Sequence, residues 1–139
     1  MSDENKALVR RLVEGWQDGH RREVAEELLA DDLVNHSASP GEIGTKEQAI
    51  RRFEYIWKAL PDFAVEIKHQ VAEGDKVATL KTFSGTHQGE FMGFPPTGRR
   101  VAWEVFDLLR IRDTKVVEHW MVMDMAGLFQ QLGRAQPGD

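Results

Sequence analysis

The sequence predicts an α+β fold in which helices come first and the strands of a curved antiparallel sheet follow one another as a meander. Three observations predict it. Up to Pro61 the apolar residues recur three and four apart, as on one face of a helix. After Pro61 they alternate with polar residues, as on a pleated strand. At Asp124 an alternating run hands over to helical spacing again.

Taken in order, residues 3–18 place Leu8, Val9, Leu12, Val13 and Trp16 on one stripe, with Gly15 and Gly19 weakening its end. A second short helix spans residues 22–29 through Val24, Ala25, Leu28 and Leu29, and Asp31 and Asp32 break it. Residues 33–36 read as a short extended piece, and residues 37–44 as a loop. Thr45 followed by Gln48 is a capping box, and the third helix presents Ile50, Phe53, Ile56, Trp57 and Leu60 before Pro61 stops it.

Phe63, Val65, Ile67, His69 and Val71 then share one face of a strand, and Glu73-Gly74-Asp75 turns it. A strand from Lys76 to about His87 follows. Gln88–Gly98 is a long excursion rich in Gly and Pro. Arg99–Ile111 is the longest strand, and a turn at 112–115 leads into the last one. On that strand Glu118, Trp120, Val122 and Asp124 share one face; Val117, His119, Met121 and Met123 share the other. Both faces of the last two strands are apolar. Helices cover one, and a second copy of the chain, docking through Val117, Met121 and Met123, is the simplest cover for the other. A homodimer is therefore expected.

The 139 residues fit one domain, 1–139, long enough for a substantial core. The net charge of −5 and the absence of a basic stripe argue against nucleic acid as a partner. No apolar run reaches membrane-spanning length and the N-terminus lacks a signal-peptide core, so no membrane association and a cytoplasmic location are expected. Having no cysteine excludes thiolate chemistry, and the five histidines make no HExxH or HxH pair, so neither a metal nor a cofactor is expected.

Three stretches carry a resemblance: Gly85–Gly98 (GTHQGEFMGFPPTG), Phe106–Ile111 (FDLLRI) and Val117–Asp124 (VEHWMVMD), closed by Gln130-Gln131-Leu132-Gly133. Through them the chain resembles the SnoaL-like polyketide cyclases, or ester cyclases, of the NTF2-like superfamily. The resemblance implies a cone-shaped barrel with the N-terminal helices packed in the curved sheet. It also implies an aspartate on the last strand, here Asp124, as the acid/base of an intramolecular aldol closure on a hydrophobic carbonyl substrate. The histidine that assists from the preceding strand in those enzymes has no counterpart between Arg99 and Asp113.

If the Asp124 face lines a cavity, desolvation suits its carboxyl to proton transfer; aspartate is equally a preferred helix N-cap. His36, beyond the second helix, is the candidate partner for a substrate oxygen. Asn35, a turn former or a ligand, stands beside it. Trp16 and Trp120 are candidate aromatic walls, and His87 is a candidate pocket closure. Arg110 requires a carboxylate partner, Glu118 or Asp124, or an anionic ligand. His119, on the face opposite Asp124, is expected to make no substrate contact. Phe91–Pro96 is expected at a pocket mouth or a subunit contact. Two other readings stand beside the cyclase: an epoxide hydrolase-like enzyme using Asp124, Arg110 and Asp107, and a non-enzymatic binding module for a hydrophobic small molecule.

Overall fold

The computed structural model describes residues 2–38, 41, 42 and 44–133. The elements run α1 (Ser2–Leu12), a π-helical turn (Val13–Asp18), α2 (Arg22–Leu28), β1 (Leu29–Asn35), α3 (Lys46–Ala59), β2 (Ala64–Glu73), β3 (Lys76–Thr86), β4 (Arg100–Arg112), β5 (Lys115–Met123) and α4 (Met125–Gln131). The α+β class and the meander of β2 to β5 follow the sequence pattern. The sheet itself differs in two respects. It has five strands in the order β1-β5-β4-β3-β2, with β1 parallel to β5, so it is mixed. It is also an open sheet with two edges, and so not a closed barrel. The extended piece expected at 33–36 is the end of β1, which begins at Leu29 as soon as α2 ends.

Local chemistry accounts for the boundaries. Thr45 Oγ1 accepts from the Gln48 backbone N at 3.2 Å, which is half of the expected capping box. The other half is not made, because the Gln48 side chain turns to Asn35 and Glu42 instead. Gly74 turns the β2–β3 hairpin at φ +61°. Of the expected loop 37–44, residues 39, 40 and 43 lie outside the described residues. At its end Gly44 packs so closely on the Asn35 backbone oxygen that a Cβ would clash.

Two irregularities set which side chains point inward. The first helix does not run evenly to Asp18; its last six residues form a π turn. That turn buries Trp16 and Gln17 together, two neighbours that a regular helix separates by 100°. In β2 the register slips between Ile67 and His69. The extra residue reverses the side-chain parity, so His69, expected half-buried beside Val65 and Ile67, is exposed, as is Val71.

The core lies between the helices and the inward face of β2–β5. Phe53, Phe63, Phe83 and Trp103 meet there, Phe83 with its ring edge-on to the other three at 5.0 to 5.9 Å between centroids. On the other face of the sheet, Phe106 and Val122 are 50% and 73% exposed. The exposed apolar face is thus the one shared with Asp124, and Val117, Met121 and Met123 are on the covered face. This corrects the docking surface expected for a second copy. Among the described residues no helix is long and apolar enough to cross a membrane.

Because three rings lean on it, Phe83→Ala is expected to lower stability by about 3–5 kcal/mol, read as a shift of the urea midpoint at unchanged slope.

Candidate active site

β3, β4 and β5 present one inward face, and their register aligns its residues in rows. Thr79, Asp107 and Met121 form one row; Val77, Leu109 and His119 form the next. Lys81 stands diagonally across from Asp107, and so does His119 on the other side.

Lys81 and Asp107 are both fully buried, and Lys81 Nζ donates to Asp107 Oδ2 at 2.5 Å. It also donates to Gln17 Oε1 at 2.7 Å, and its ammonium lies 5.3 Å from the centroid of the Phe83 ring. Around this pair polar atoms are left without a protein partner: Asp107 Oδ1, Thr79 Oγ1, His119 Nε2 and Trp16 Nε1. Buried polar groups are satisfied as a rule, and each orphan costs about 1–3 kcal/mol. Such a concentration around one ion pair makes this cluster the candidate site. Burial pushes the His119 imidazole down to about 4; Asp107 opposes that shift, and Lys81, Arg52 and His36 add to it. His119 is neutral at neutral pH.

A cavity of about 410 Å³ opens beside this cluster, between α3 and strands β3–β5. Phe53, Ile56, Phe83, Trp103, Met121 and Met123 give it apolar walls. Phe91 and Met92 close one side. They belong to the 88–98 arm, which is held by a Phe91–Phe94 bridge and by Tyr55, whose hydroxyl accepts from Met92 N at 2.7 Å. This places the Phe91 end of the arm at the pocket, as expected, while Phe94 packs on Phe129 of α4. Gln48, Arg51, Arg52 and Tyr55 supply polar groups from α3. Met121 joins the two regions, since it lines the cavity and pairs across the strands with Asp107.

The side chains anticipated as a site are not gathered there. Asp124 is exposed, and its Oδ1 accepts from Gly127 N at 3.0 Å as the N-cap of α4. The strand parity was read correctly, but the Asp124 face is the outer one. His36 and Trp120 are also outside, their rings stacked at 4.6 Å, with His36 Nε2 2.9 Å from Glu118 Oε2. Arg110 donates to Glu118 Oε1 and to Asp75 Oδ2, both at 2.8 Å. Arg110, then His36, hold the Glu118 carboxyl below its usual range, and Arg110 does the same to Asp75.

Arg110 and Asp107 lie on opposite faces of β4 and Asp124 is on the outer side, so these three do not assemble. Asn35 is buried; it donates to Gln48 Oε1 and accepts from Ser37 N, a turn former on the cavity's flank. His87 is buried under the base of the arm, where Thr97 N donates to its Nδ1 at 3.3 Å. Trp16 lies outside the large cavity and lines a small hole behind His119.

Lys81 and Gln17 were not singled out from the sequence and His119 was set aside, yet the structure brings all three to this cluster. A signal for them is present in the sequence: Lys81 shares strand parity with Val77 and Phe83, and Asp107 with Val105 and Leu109. Opposite charges on the same face of adjacent strands are a signal that the two pair, whichever face the helices cover.

With this geometry established, the comparisons with known proteins acquire a meaning. The sequence model of the SnoaL-like polyketide cyclases matches residues 6–132, and the chain belongs to that family. It is similar to aklanonic acid methyl ester cyclase DnrD of Streptomyces peucetius, 31% identical over 94% of this chain and 91% of that protein. Among solved structures it is similar to AclR of Streptomyces galilaeus, a candidate hydroxylase. The TM-score is 0.87 at 37% identity, over 98% of this chain and 89% of that one. IdmH of Streptomyces antibioticus, a candidate polyketide cyclase, superposes with a TM-score of 0.81 at 31% identity, over 93% of this chain and 98% of that one.

His119 carries a pH test. Above its ordinary value of 6.5 the ring is neutral folded and unfolded, and stability does not depend on it. Between 6.5 and about 4 the unfolded chain takes up a proton that the folded chain refuses, so stability falls with pH, by roughly 3 kcal/mol across the window. The lowered carboxylates act only as pH falls past their ordinary values, 4.5 for Glu27 and Glu118 and 3.8 for Asp62 and Asp75, below the pH 5 end of the measurement. Chemical denaturation at pH 7, 6 and 5 should show the loss in the parent and a flatter profile in His119→Gln.

Proposed function

We propose that the chain is an acid–base enzyme of cyclase type, acting on a hydrophobic carbonyl substrate held in the 410 Å³ cavity. The observation that carries this reading is the enclosed Lys81–Asp107 pair beside a neutral His119. In this reading Asp107 takes the proton-transfer role that the sequence suggested for Asp124. It removes a proton alpha to a carbonyl and becomes a neutral carboxyl, and Lys81 orients the carboxylate before the transfer. A neutral His119 beside it can supply a hydrogen bond to the oxygen on which charge develops. Met121 lines the cavity and Asp107 does not, so in this reading the unbranched, adaptable Met121 side chain must swing aside for substrate to reach Asp107.

The walls suit a flat polycyclic molecule: rings at Phe53, Phe83 and Trp103 face sulfur-bearing Met121 and Met123. The names of the relatives, aklanonic acid methyl ester cyclases, and of the family point to a polyketide methyl ester. A second reading, hydroxylation of such a substrate, is favoured by the likeness to AclR.

Incubation of purified protein with polyketide methyl esters in air, with and without an added two-electron reductant, followed by mass spectrometry, distinguishes the two. A cyclised product is an isomer of the substrate, whereas a hydroxylated one is heavier by one oxygen atom. Asp107→Asn keeps an acceptor for Lys81 and is expected to lower turnover by about 10²–10⁴-fold. Asp124→Asn, nearly as good a cap, is expected to leave turnover within about twofold. Loss of turnover in a folded Asp124→Asn with retention in a folded Asp107→Asn returns the role to Asp124. Binding without conversion by the parent points to the binding-module reading.

The same proposal includes a homodimer, formed through the outer sheet face. Phe106 pairs with Val122 and Leu108 with Trp120 across β4 and β5, a patch flanked by the Lys68–Glu104 and Arg110–Glu118 ion pairs. Sedimentation is expected to show a dimer for the parent and a monomer for Val122→Glu. Equal monomeric masses for both rule the dimer out.

A further inference from the structure

Behind His119 lies a second, much smaller space of about 10 Å³, enough for one water-sized sphere. Trp16, Gln17 and His119 line it together with aliphatic side chains, among them Leu12, Leu33 and Leu109. Two buried polar atoms that no protein group satisfies belong to residues on its wall: Trp16 Nε1 and His119 Nε2.

We infer that this space is a binding site for a single water, which accepts a hydrogen bond from Trp16 Nε1 and donates one to His119 Nε2. Trp16 is thereby a positioning residue that sets the His119 tautomer. The inference rests on the reading of Asp107 and His119 as the proton-handling groups.

The tautomer follows from counting donors. Indole Nε1–H donates only. If His119 Nε2 also carried hydrogen, the water would accept twice and donate only to Gln17 Oε1, leaving its second hydrogen buried among leucines, whereas a bare Nε2 leaves only a lone pair unfilled, the less costly orphan. With Nε2 bare, the water accepts once and donates once, and one molecule relieves both orphans. The Gln17 Oε1, which already takes one bond from Lys81, has a second lone pair for the remaining hydrogen. The hydrogen of the neutral ring must then be on Nδ1. His119 accordingly keeps Nδ1–H free as a donor for a substrate oxygen, with Nε2 held as an acceptor by the water. The π turn matters here, since it brings Trp16 to the hole and Gln17 to both the hole and Lys81.

Nitrogen-15 spectroscopy of the imidazoles tests this without substrate, so its failure is distinct from a failure of the catalytic reading. Samples labelled at histidine, with His119 assigned through His119→Gln, are expected to show Nδ1 protonated and Nε2 bare at pH 7. The Trp16 indole N–H should show exchange cross-peaks with a long-lived water. In Trp16→Phe the His119 pattern is expected to become a mixture of tautomers, with the other imidazoles unchanged. A protonated Nε2 in the parent overturns the inference. So does an unaltered pattern in a folded Trp16→Phe, and so does a Trp16 N–H with no water contact. If Trp16→Phe does not fold, the parent's tautomer and indole–water contact decide alone.

Discussion

The ion pair between Lys81 and Asp107 imposes the strictest requirement on the rest of the structure. Two charges with no solvent exposure cost several kcal/mol each to desolvate, and their attraction repays this only in close geometry with other polar groups nearby. Every neighbouring element contributes to that geometry. β3 and β4 supply the two partners diagonally across one register. The π turn after α1 brings Gln17 as a second acceptor for the ammonium, and Phe83 offers its ring. A one-residue slip of β3 on β4 would move Lys81 or Asp107 to the outer face and leave the other buried and unpaired. Register, helix irregularity and core packing are thus bound to one interaction.

The same pair divides the polar groups of the molecule into two populations. Inside, Lys81, Asp107 and His119 are enclosed, with orphaned atoms and a neutral imidazole. Outside, His36, Glu118, Arg110 and Asp75 form a chain of exposed or half-exposed contacts that keeps the two carboxyls ionised. Solvent screens these outer charges, and such contacts contribute little to stability. Both sets draw on β4 and β5, where one position along the strand changes a residue from an enclosed group to a wetted one.

Irregular backbone appears where the site needs it. A regular helix through Asp18 would direct Trp16 and Gln17 100° apart. The π turn allows both to be buried, one behind His119 and the other against Lys81. The slip in β2 reverses inside and outside beyond Ile67, so the far half of that edge strand turns His69 and Val71 outward. Gly44 lets the chain return against the backbone of Asn35, whose side chain then steadies Gln48 on the flank of the cavity.

The sequence by itself determined a great deal. Helical spacing up to Leu60, alternation from Phe63 and the turn at Gly74 define the elements, because each depends only on residues a few positions apart. The cap of α4 by Asp124 and the Glu118 partnership of Arg110 were each among the alternatives that the sequence left open. The stretches 85–98, 106–111 and 117–124 were enough to indicate the family. Which face of β5 is the inner one was decided only in the tertiary structure. Alternation assigns Asp124 and His119 to opposite faces but does not say where the helices lie. With both faces of β4 and β5 apolar, hydrophobicity offered no tie-break. The helices pack on the His119 face, and that single choice buries His119, exposes Asp124 and encloses the Lys81–Asp107 pair. Burial of a charge depends on what packs against a strand from distant parts of the chain, and strand periodicity carries no information about that.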